Sequence, residues 1–205
     1  PGDGVLRLLF VGRLSDERKG LGVLLEAFAR LRARGIPVEL DAVGEQAGAP
    51  LPPVVPGFRY HGAVTLAELV ERYRACDVLV APSTGQESFG IVLLEAMASG
   101  RAIVCSDIEG YRQVVDDQGA VLVKPRDANA LEAAIANLAL DPARLARMGD
   151  WNRRRSTAFD WLALAPRVRS EYEAAIADSG NPFPVPAASV AENSSPVQLD
   201  PRLPT

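Results

Sequence analysis

Short apolar runs alternate with amphipathic stretches along most of the chain. Residues 5–12, VLRLLFVG, form a run rich in Leu and Val that closes on Gly12, the pattern of a strand buried on both faces. A polar stretch, Arg13 to Arg18, follows. Leu21, Leu24, Leu25, Phe28 and Leu31 then recur at helical spacing, with Arg30, Arg32 and Arg34 among the polar positions and Gly35 as the stop. Val38 to Val43 reads as a second strand closed by Gly44. Glu45 to Pro56 holds four prolines, so no long helix runs there. Phe58 to His61 is a weaker third strand. Thr65 with Glu68 three residues on makes a capping-box pattern for a helix carrying Leu66, Leu69, Val70 and Tyr73 on one face.

Asp77 to Ala81 is a fourth strand, and Pro82 to Glu87 a polar loop. A strongly apolar helix follows, from Ser88 or Phe89 to Ser99, ended by Gly100. Ala102 to Cys105 and Ala120 to Val123 supply a fifth and a sixth strand. Asp127 caps a helix through Leu131, Ile135 and Leu138, and Asp141-Pro142 opens another with Pro at its first position. Phe159 to Ala177 closes the series as a helix that Pro166 must kink or divide. Strands and helices in alternation with short connections imply parallel strands and right-handed crossovers. The fold class expected is therefore α/β, a doubly wound, Rossmann-like parallel sheet of about six strands with a helical C-terminal end. The domain is expected over residues 1–178. Residues 179–205, with six prolines and few bulky apolar residues, are expected to be a disordered tail.

Composition narrows the function classes. Of the 205 residues, 48% are apolar and 23% charged, the balance of a globular protein with a core of its own. A formal net charge of −4 argues against a broad nucleic-acid-binding face while leaving room for a local basic pocket. The two cysteines, Cys76 and Cys105, sit at the edges of apolar runs and read as buried free thiols, which fit a reducing cytoplasm. Cys and His are not clustered, so no metal site is expected. No apolar run approaches the ~20 residues that span a bilayer. The chain begins at Pro1 and enters a strand almost at once, which is expected of a chain whose beginning has been removed.

Three loops carry candidate chemistry, all at the carboxyl ends of strands, where doubly wound sheets bind ligands. In the first, Gly12 lets the backbone turn or approach a ligand closely, and Arg13 and Lys19 flank a loop before a helix. Two cations near helix amides make a diphosphate site; ordinary solvated surface charge is the competing reading. No G-x-G-x-x-G or Walker loop is present, so ordinary dinucleotide and NTPase readings lose their main support. In the second, STGQESFGIVLLE, the amides of Phe89, Gly90 and Ile91 can face an anion, and Glu87 and Glu95 can accept hydrogen bonds from vicinal hydroxyls. A single helical Glu is usually just solvated, but Glu95 lies in an apolar helix and calls for a partner. The third, Ser106 to Gly110, is a polar turn that either lines the site or only connects.

Gly12-Arg13 with Arg18-Lys19-Gly20, Glu87-Ser88-Phe89-Gly90 with Glu95 after seven intervening residues, and the helix end Glu95 to Gly100 resemble a known family. This is the C-terminal, donor-binding domain of retaining glycosyltransferases with two Rossmann-like domains (GT-B), whose signature is E-x7-E. Asp160-Trp161 is also similar, and the resemblance covers about residues 5–177. The Glu-Ser-Phe-Gly-Ile-Val stretch and the Arg-Lys-Gly loop look most like the phosphatidylinositol mannosyltransferase group.

The resemblance implies that Arg13 and Lys19 bind the donor diphosphate and stabilise the leaving nucleotide. It implies that Glu87 contacts hydroxyls of the transferred sugar, with Arg13, Lys19 and Glu87 forming the catalytic set. Gly12, Ser88, Phe89, Gly90, Ile91 and Val92 would line the donor, Glu95 would bind its ribose, and His61, Gly62 and Val64 match the region beside the base. A packed strand-end residue is the plain reading of His61. The donor implied is a nucleotide diphosphate sugar, GDP-mannose favoured, with no cofactor or metal required. The partner implied is an acceptor-binding N-terminal domain, needed for turnover, and peripheral contact with a membrane surface is compatible with this group. Two departures stand out: the proline-rich Glu45 to Pro56 replaces a longer helical segment, and the N-terminal half is missing. A sugar-nucleotide epimerase or glucan synthase half, and a module that binds a nucleotide sugar without turning it over, are the alternatives.

Overall fold

The computed structural model describes residues 4–46, 48, 55–85 and 87–178. The tail expected over 179–205, and most of the proline-rich stretch, lie outside the described residues. The chain divides into two units, residues 1–164 and 165–205.

Six strands form one parallel sheet in the order β3-β2-β1-β4-β5-β6. They are β1 (Leu6–Val11), β2 (Val38–Val43), β3 (Phe58–Tyr60), β4 (Val78–Ala81), β5 (Ala102–Ser106) and β6 (Ala120–Val123). β1 and β2 are in register from Leu6 opposite Val38 to Val11 opposite Val43, and β1 meets β4 at Leu8 opposite Val78. The expected fold class is therefore the one observed.

The helices are α1 (Leu21–Ala33), α2 (Leu66–Ala75), α3 (Ile91–Ala98), α4 (Glu109–Arg112), α5 (Ala128–Ala139), α6 (Pro142–Ser156) and α7 (Trp161–Asp178). Because side chains alternate along a strand, each strand feeds two cores. Leu6, Leu8 and Phe10 of β1 pack with Leu24, Phe28 and Leu31 of α1 and with Leu131 and Ile135 of α5. Leu9 points the other way, into a cluster with Tyr73 and Cys76 of the α2 end and Leu93 and Met97 of α3. Both cysteines are buried and free, and burial pushes each thiol up to about 12, so neither is a nucleophile at neutral pH.

The local signals mostly act as expected. Thr65 and Glu68 form the capping box of α2: Glu68 N–H donates to Thr65 Oγ1 at 3.3 Å, and Thr65 N–H donates to Glu68 Oε2 at 2.8 Å. Asp127 caps α5, accepting from Ala130 N–H at 2.9 Å. Asp141 caps α6, accepting from Arg144 N–H at 2.8 Å, with Pro142 in its first turn. Asn152 ties α6 to the sheet, its Nδ2 donating to Arg101 O and Gly119 O, each at 2.8 Å.

Four boundaries differ from the sequence reading. β3 ends at Tyr60, one residue before His61. α3 begins at Ile91, because Gly90 sits in the left-handed region at φ 81° and caps the helix instead of joining it. Ser106 belongs to β5, and α4 replaces the polar turn expected after it. A 3-10 turn (Thr157–Phe159) ends α6, so the last helix starts at Trp161; Asp160 accepts from Leu162 N–H at 2.8 Å, and Pro166 lies inside α7 without dividing it.

Candidate donor-binding site

The strand order reverses direction between β1 and β4, where the connections leaving the two strands diverge to opposite faces of the sheet. The loops after β1 and β4 meet there. Thr84 N–H donates to Arg18 O at 2.7 Å, tying one loop to the other. Gly20 lies so close that a Cβ on it would stand 2.0 Å from Pro82 O. The β1 loop is shaped from within by a 3-10 turn, Glu17–Lys19, capped by Asp16, which accepts from Arg18 N–H at 3.0 Å. Arg18 returns its guanidinium to Asp16, with Nε at 2.9 Å and Nη2 at 2.7 Å. That chelate holds the Asp16 carboxyl below the usual carboxylate range.

Lys19 Nζ pairs with Glu87 Oε1. The Lys19 stem runs beside Gly12, where an added Cβ would lie 3.4 Å from Lys19 Cγ. The side chains expected at the diphosphate and at the sugar are thus in direct contact. Arg13 is exposed on the same loop and makes no ion pair with another described residue. Leu14 N–H donates to Glu45 O at 2.8 Å, and Gly12 N–H to Val43 O at 2.9 Å, so the backbone around Arg13 is fixed to the end of β2.

The start of α3 forms the opposite side. Leu93 N–H makes the turn bond to Gly90 O at 2.9 Å, and the geometry of a helix start leaves the amides of Ile91 and Val92 without intrahelical acceptors. These two amides, not those of Phe89 and Gly90, lead the helix. Ser88 and Phe89 belong to the preceding loop. The Phe89 ring docks edge-on against Phe159, centroids 6.1 Å apart, and Arg155 lies over Phe159 at 5.9 Å. The Ile91 side chain is exposed, whereas Val92 packs against the core cluster that also receives Val64.

Beneath this loop lies α4. A Cβ at Gly110 would meet Glu87 O at 2.0 Å, and one at Gly90 would meet Tyr111 Cε1 at 2.6 Å. The Tyr111 hydroxyl shares a buried hydrogen bond of 2.7 Å with Ser83. Gly110 and Tyr111 therefore set the height of the segment from Glu87 to Gly90. Sequence reasoning missed this support: a four-residue helix has no periodicity to detect, and an isolated Tyr after an Asp-Ile-Glu-Gly turn was the one signal for it. Glu95, one turn further along α3, accepts a hydrogen bond of 2.7 Å from Tyr73 on α2, the partner its apolar setting called for.

His61 is placed differently. Its Nε2 is buried 3.1 Å from Asp41 Oδ1, without the geometry of a hydrogen bond. Arg59 Nε donates to the same oxygen at 2.8 Å, and Arg72 Nη1 stands 3.6 Å from Asp41 Oδ2. Burial pushes the Asp41 carboxyl up, but His61 and Arg59 outweigh it and hold it below the usual carboxylate range. Gly44 N–H donates to Gly62 O at 2.9 Å, which continues the row of closely spaced backbone along this sheet edge.

Among the described residues no group of His, Cys, Asp and Glu could hold a metal ion, and no helix is long and apolar enough to cross a membrane.

Comparison with known proteins agrees with this geometry. The profile of the family described as "Glycosyl transferases group 1" matches residues 6–141. A phosphatidyl-myo-inositol mannosyltransferase of Mycolicibacterium smegmatis is 37% identical over 175 residues, covering 81% of this chain and 44% of the relative. A glycogen synthase of Mycobacterium tuberculosis is 34% identical over 205 residues, covering 96% of this chain and 49% of the relative. The chain thus spans about half the length of the curated relatives it matches. Among solved structures, a sucrose-phosphate synthase from Thermosynechococcus elongatus superposes with a TM-score of 0.74 at 30% identity, over 87% of this chain and 47% of that one. An Anabaena protein solved in complex with UDP-glucose shares the fold, with a TM-score of 0.72 at 19% identity, over 83% of this chain and 49% of that one. The chain belongs to the group 1 glycosyltransferases, and corresponds to the C-terminal, donor-binding domain of their two-domain GT-B fold.

Proposed function

We propose that this chain is the donor-binding half of a retaining hexosyltransferase that uses a nucleotide diphosphate sugar. The observation that carries the reading is the Lys19–Glu87 pair, which joins the loop after β1 to the segment leading into α3, beside the point where the sheet reverses direction. Departure of the nucleotide places negative charge on the β-phosphate and leaves an oxocarbenium-like sugar. Lys19 and Arg13 supply fixed positive charge for that phosphate, and the amides of Ile91 and Val92 supply oriented dipoles. Glu87, freed from Lys19 as the diphosphate arrives, accepts hydrogen bonds from sugar hydroxyls, and Glu95 accepts them from the ribose.

GDP-mannose is the favoured donor, on the identity to mannosyltransferases. A glucosyl donor is the second reading, favoured by the 34% identity to a glycogen synthase across nearly the whole chain. Turnover would require the acceptor-binding domain that makes up the rest of such enzymes, and the acceptor side of the reaction would then include any contact with a membrane surface.

Titration calorimetry with GDP, UDP and ADP, free and as mannose or glucose conjugates, tests this reading. Binding by one nucleotide series, weakened on the order of a hundredfold by Lys19→Ala, is expected. Binding by none of them, or an unchanged affinity in Lys19→Ala, contradicts it.

A further inference from the structure

The Glu95 carboxylate makes one hydrogen bond among the described residues, and that bond reaches across from another helix. Tyr73, in the last turn of α2, donates its hydroxyl to Glu95 Oε2 at 2.7 Å. Its ring is almost wholly buried, 2% exposed, in the cluster with Leu93, Ala96 and Met97. The nearest alternative acceptor for the hydroxyl is Val92 O at 3.4 Å, which is long for an O–H···O bond. Burial and the adjacent Glu95 both push the phenol well above its ordinary range, so it stays a donor at any pH the protein meets. Glu95 itself is half-buried, and its Oε1 makes no hydrogen bond with a described residue.

A carboxylate oxygen accepts along two lone-pair directions. The phenol fills one direction on Oε2 and leaves the second, together with both on Oε1. What remains is the acceptor pair that a vicinal diol needs, one oxygen for each hydroxyl. A glutamate on an exposed helix face would sample several rotamers and lose entropy on binding. Here a rigid buried ring fixes the carboxylate before the ligand arrives, and preorganisation of this kind raises affinity by reducing what must be ordered.

We propose that Tyr73 is a positioning residue for recognition of the donor ribose: its hydroxyl holds the Glu95 carboxylate in the orientation that accepts from the 2′- and 3′-hydroxyls. The proposal rests on the donor-binding reading above and deepens it. Tyr73 touches no substrate and acts only through Glu95.

The test is calorimetric titration of the full 205-residue chain with GDP, UDP and ADP and with their 2′,3′-dideoxy analogues, in wild type, Tyr73→Phe, Glu95→Ala and the double variant. Wild type is expected to prefer the ribose form. Tyr73→Phe keeps the ring and its packing, and should weaken ribonucleotide binding about tenfold while leaving the dideoxy affinity unchanged within about twofold. Glu95→Ala should abolish the preference, and adding Tyr73→Phe to it should change nothing further, as coupled residues require. Equal losses for both sugar forms in Tyr73→Phe would assign the residue a structural role only and overturn the proposal. A wild-type ribose preference left intact by Tyr73→Phe would also overturn it while sparing the donor-binding reading. Failure of every nucleotide to bind wild type would overturn both.

Discussion

Replacing Gly90 with Ala tests how the anion-facing helix start is held. Gly90 adopts φ 81°, and an Ala there carries a left-handed backbone cost of about 1–2 kcal/mol. The added Cβ would lie 2.6 and 2.8 Å from Tyr111 Cε1 and Cδ1 and 3.2 Å from Leu93 Cδ1. Tyr111 cannot swing aside freely, because it is 2% exposed and its hydroxyl bonds Ser83. Overpacking of this kind costs a further 1–3 kcal/mol or so. The sum is roughly 2–5 kcal/mol, out of the 5–15 kcal/mol typical of a domain. Gly35 provides the control: its φ is 73°, yet nothing lies within 4 Å of a Cβ built there. Gly35→Ala should therefore show the backbone cost alone. Urea denaturation of both variants, read as midpoints at constant slope, separates the two contributions. Calorimetry should then show Gly90→Ala weakening nucleoside diphosphate binding, because the amides of Ile91 and Val92 move with the loop, and Gly35→Ala leaving it unchanged. If Gly90→Ala is as mild as Gly35→Ala, or binds the diphosphate as wild type does, α4 does not brace the helix start and the reasoning fails.

Other perturbations follow from the same geometry. Glu87→Gln removes the partner that neutralises Lys19; binding of a nucleoside diphosphate without sugar should tighten roughly fivefold, the scale of a partly exposed ion pair, and discrimination in favour of the sugar conjugate should shrink. Unchanged affinities for both ligands would argue against competition between Glu87 and the phosphate. Asn152→Ala strips a part-buried hydrogen bond from Arg101 O and a buried one from Gly119 O and should destabilise the fold by about 2–4 kcal/mol in the same denaturation assay. The Asp41 carboxyl is held below its ordinary value of 3.8, so its ionised form contributes stability above that pH, and the contribution fades as pH falls through the lowered value. Asp41→Asn should flatten this acid limb of the stability profile; an acid limb identical to wild type would show that the cluster with His61, Arg59 and Arg72 is energetically idle.

The parts of this protein legible in its sequence are those governed by local chemistry. The run at Val78–Ala81 is apolar throughout, and that at Ala102–Ser106 is apolar up to its closing serine, because both faces of a central parallel strand are covered, whereas a strand with one wet face would alternate with polar residues. Thr65 with Glu68, Asp127 and Asp141 act within three residues of the amides they satisfy. The start of α3 was harder: the apolar pattern runs smoothly through Phe89, and only the left-handed geometry of Gly90, packed where Tyr111 leaves no room for a Cβ, moves the helix to Ile91. Long-range pairs were beyond reach for a similar reason. Lys19 and Glu87 are 68 positions apart, and Tyr73 and Glu95 are 22 apart on separate helices. Nothing in either neighbourhood says which donor meets which carboxylate until the fold brings the elements together. His61 illustrates the converse, since its place near the end of β3 was expected while its approach to Asp41, in the neighbouring strand, was not.

A crystal structure of the chain with GDP, UDP or ADP bound is the most direct measurement of the central claim. The account predicts phosphate oxygens about 3 Å from Lys19 Nζ and from the amides of Ile91 and Val92, with the Lys19–Glu87 pair opened. Phosphates seated elsewhere on the molecule, with that pair still closed, would contradict it.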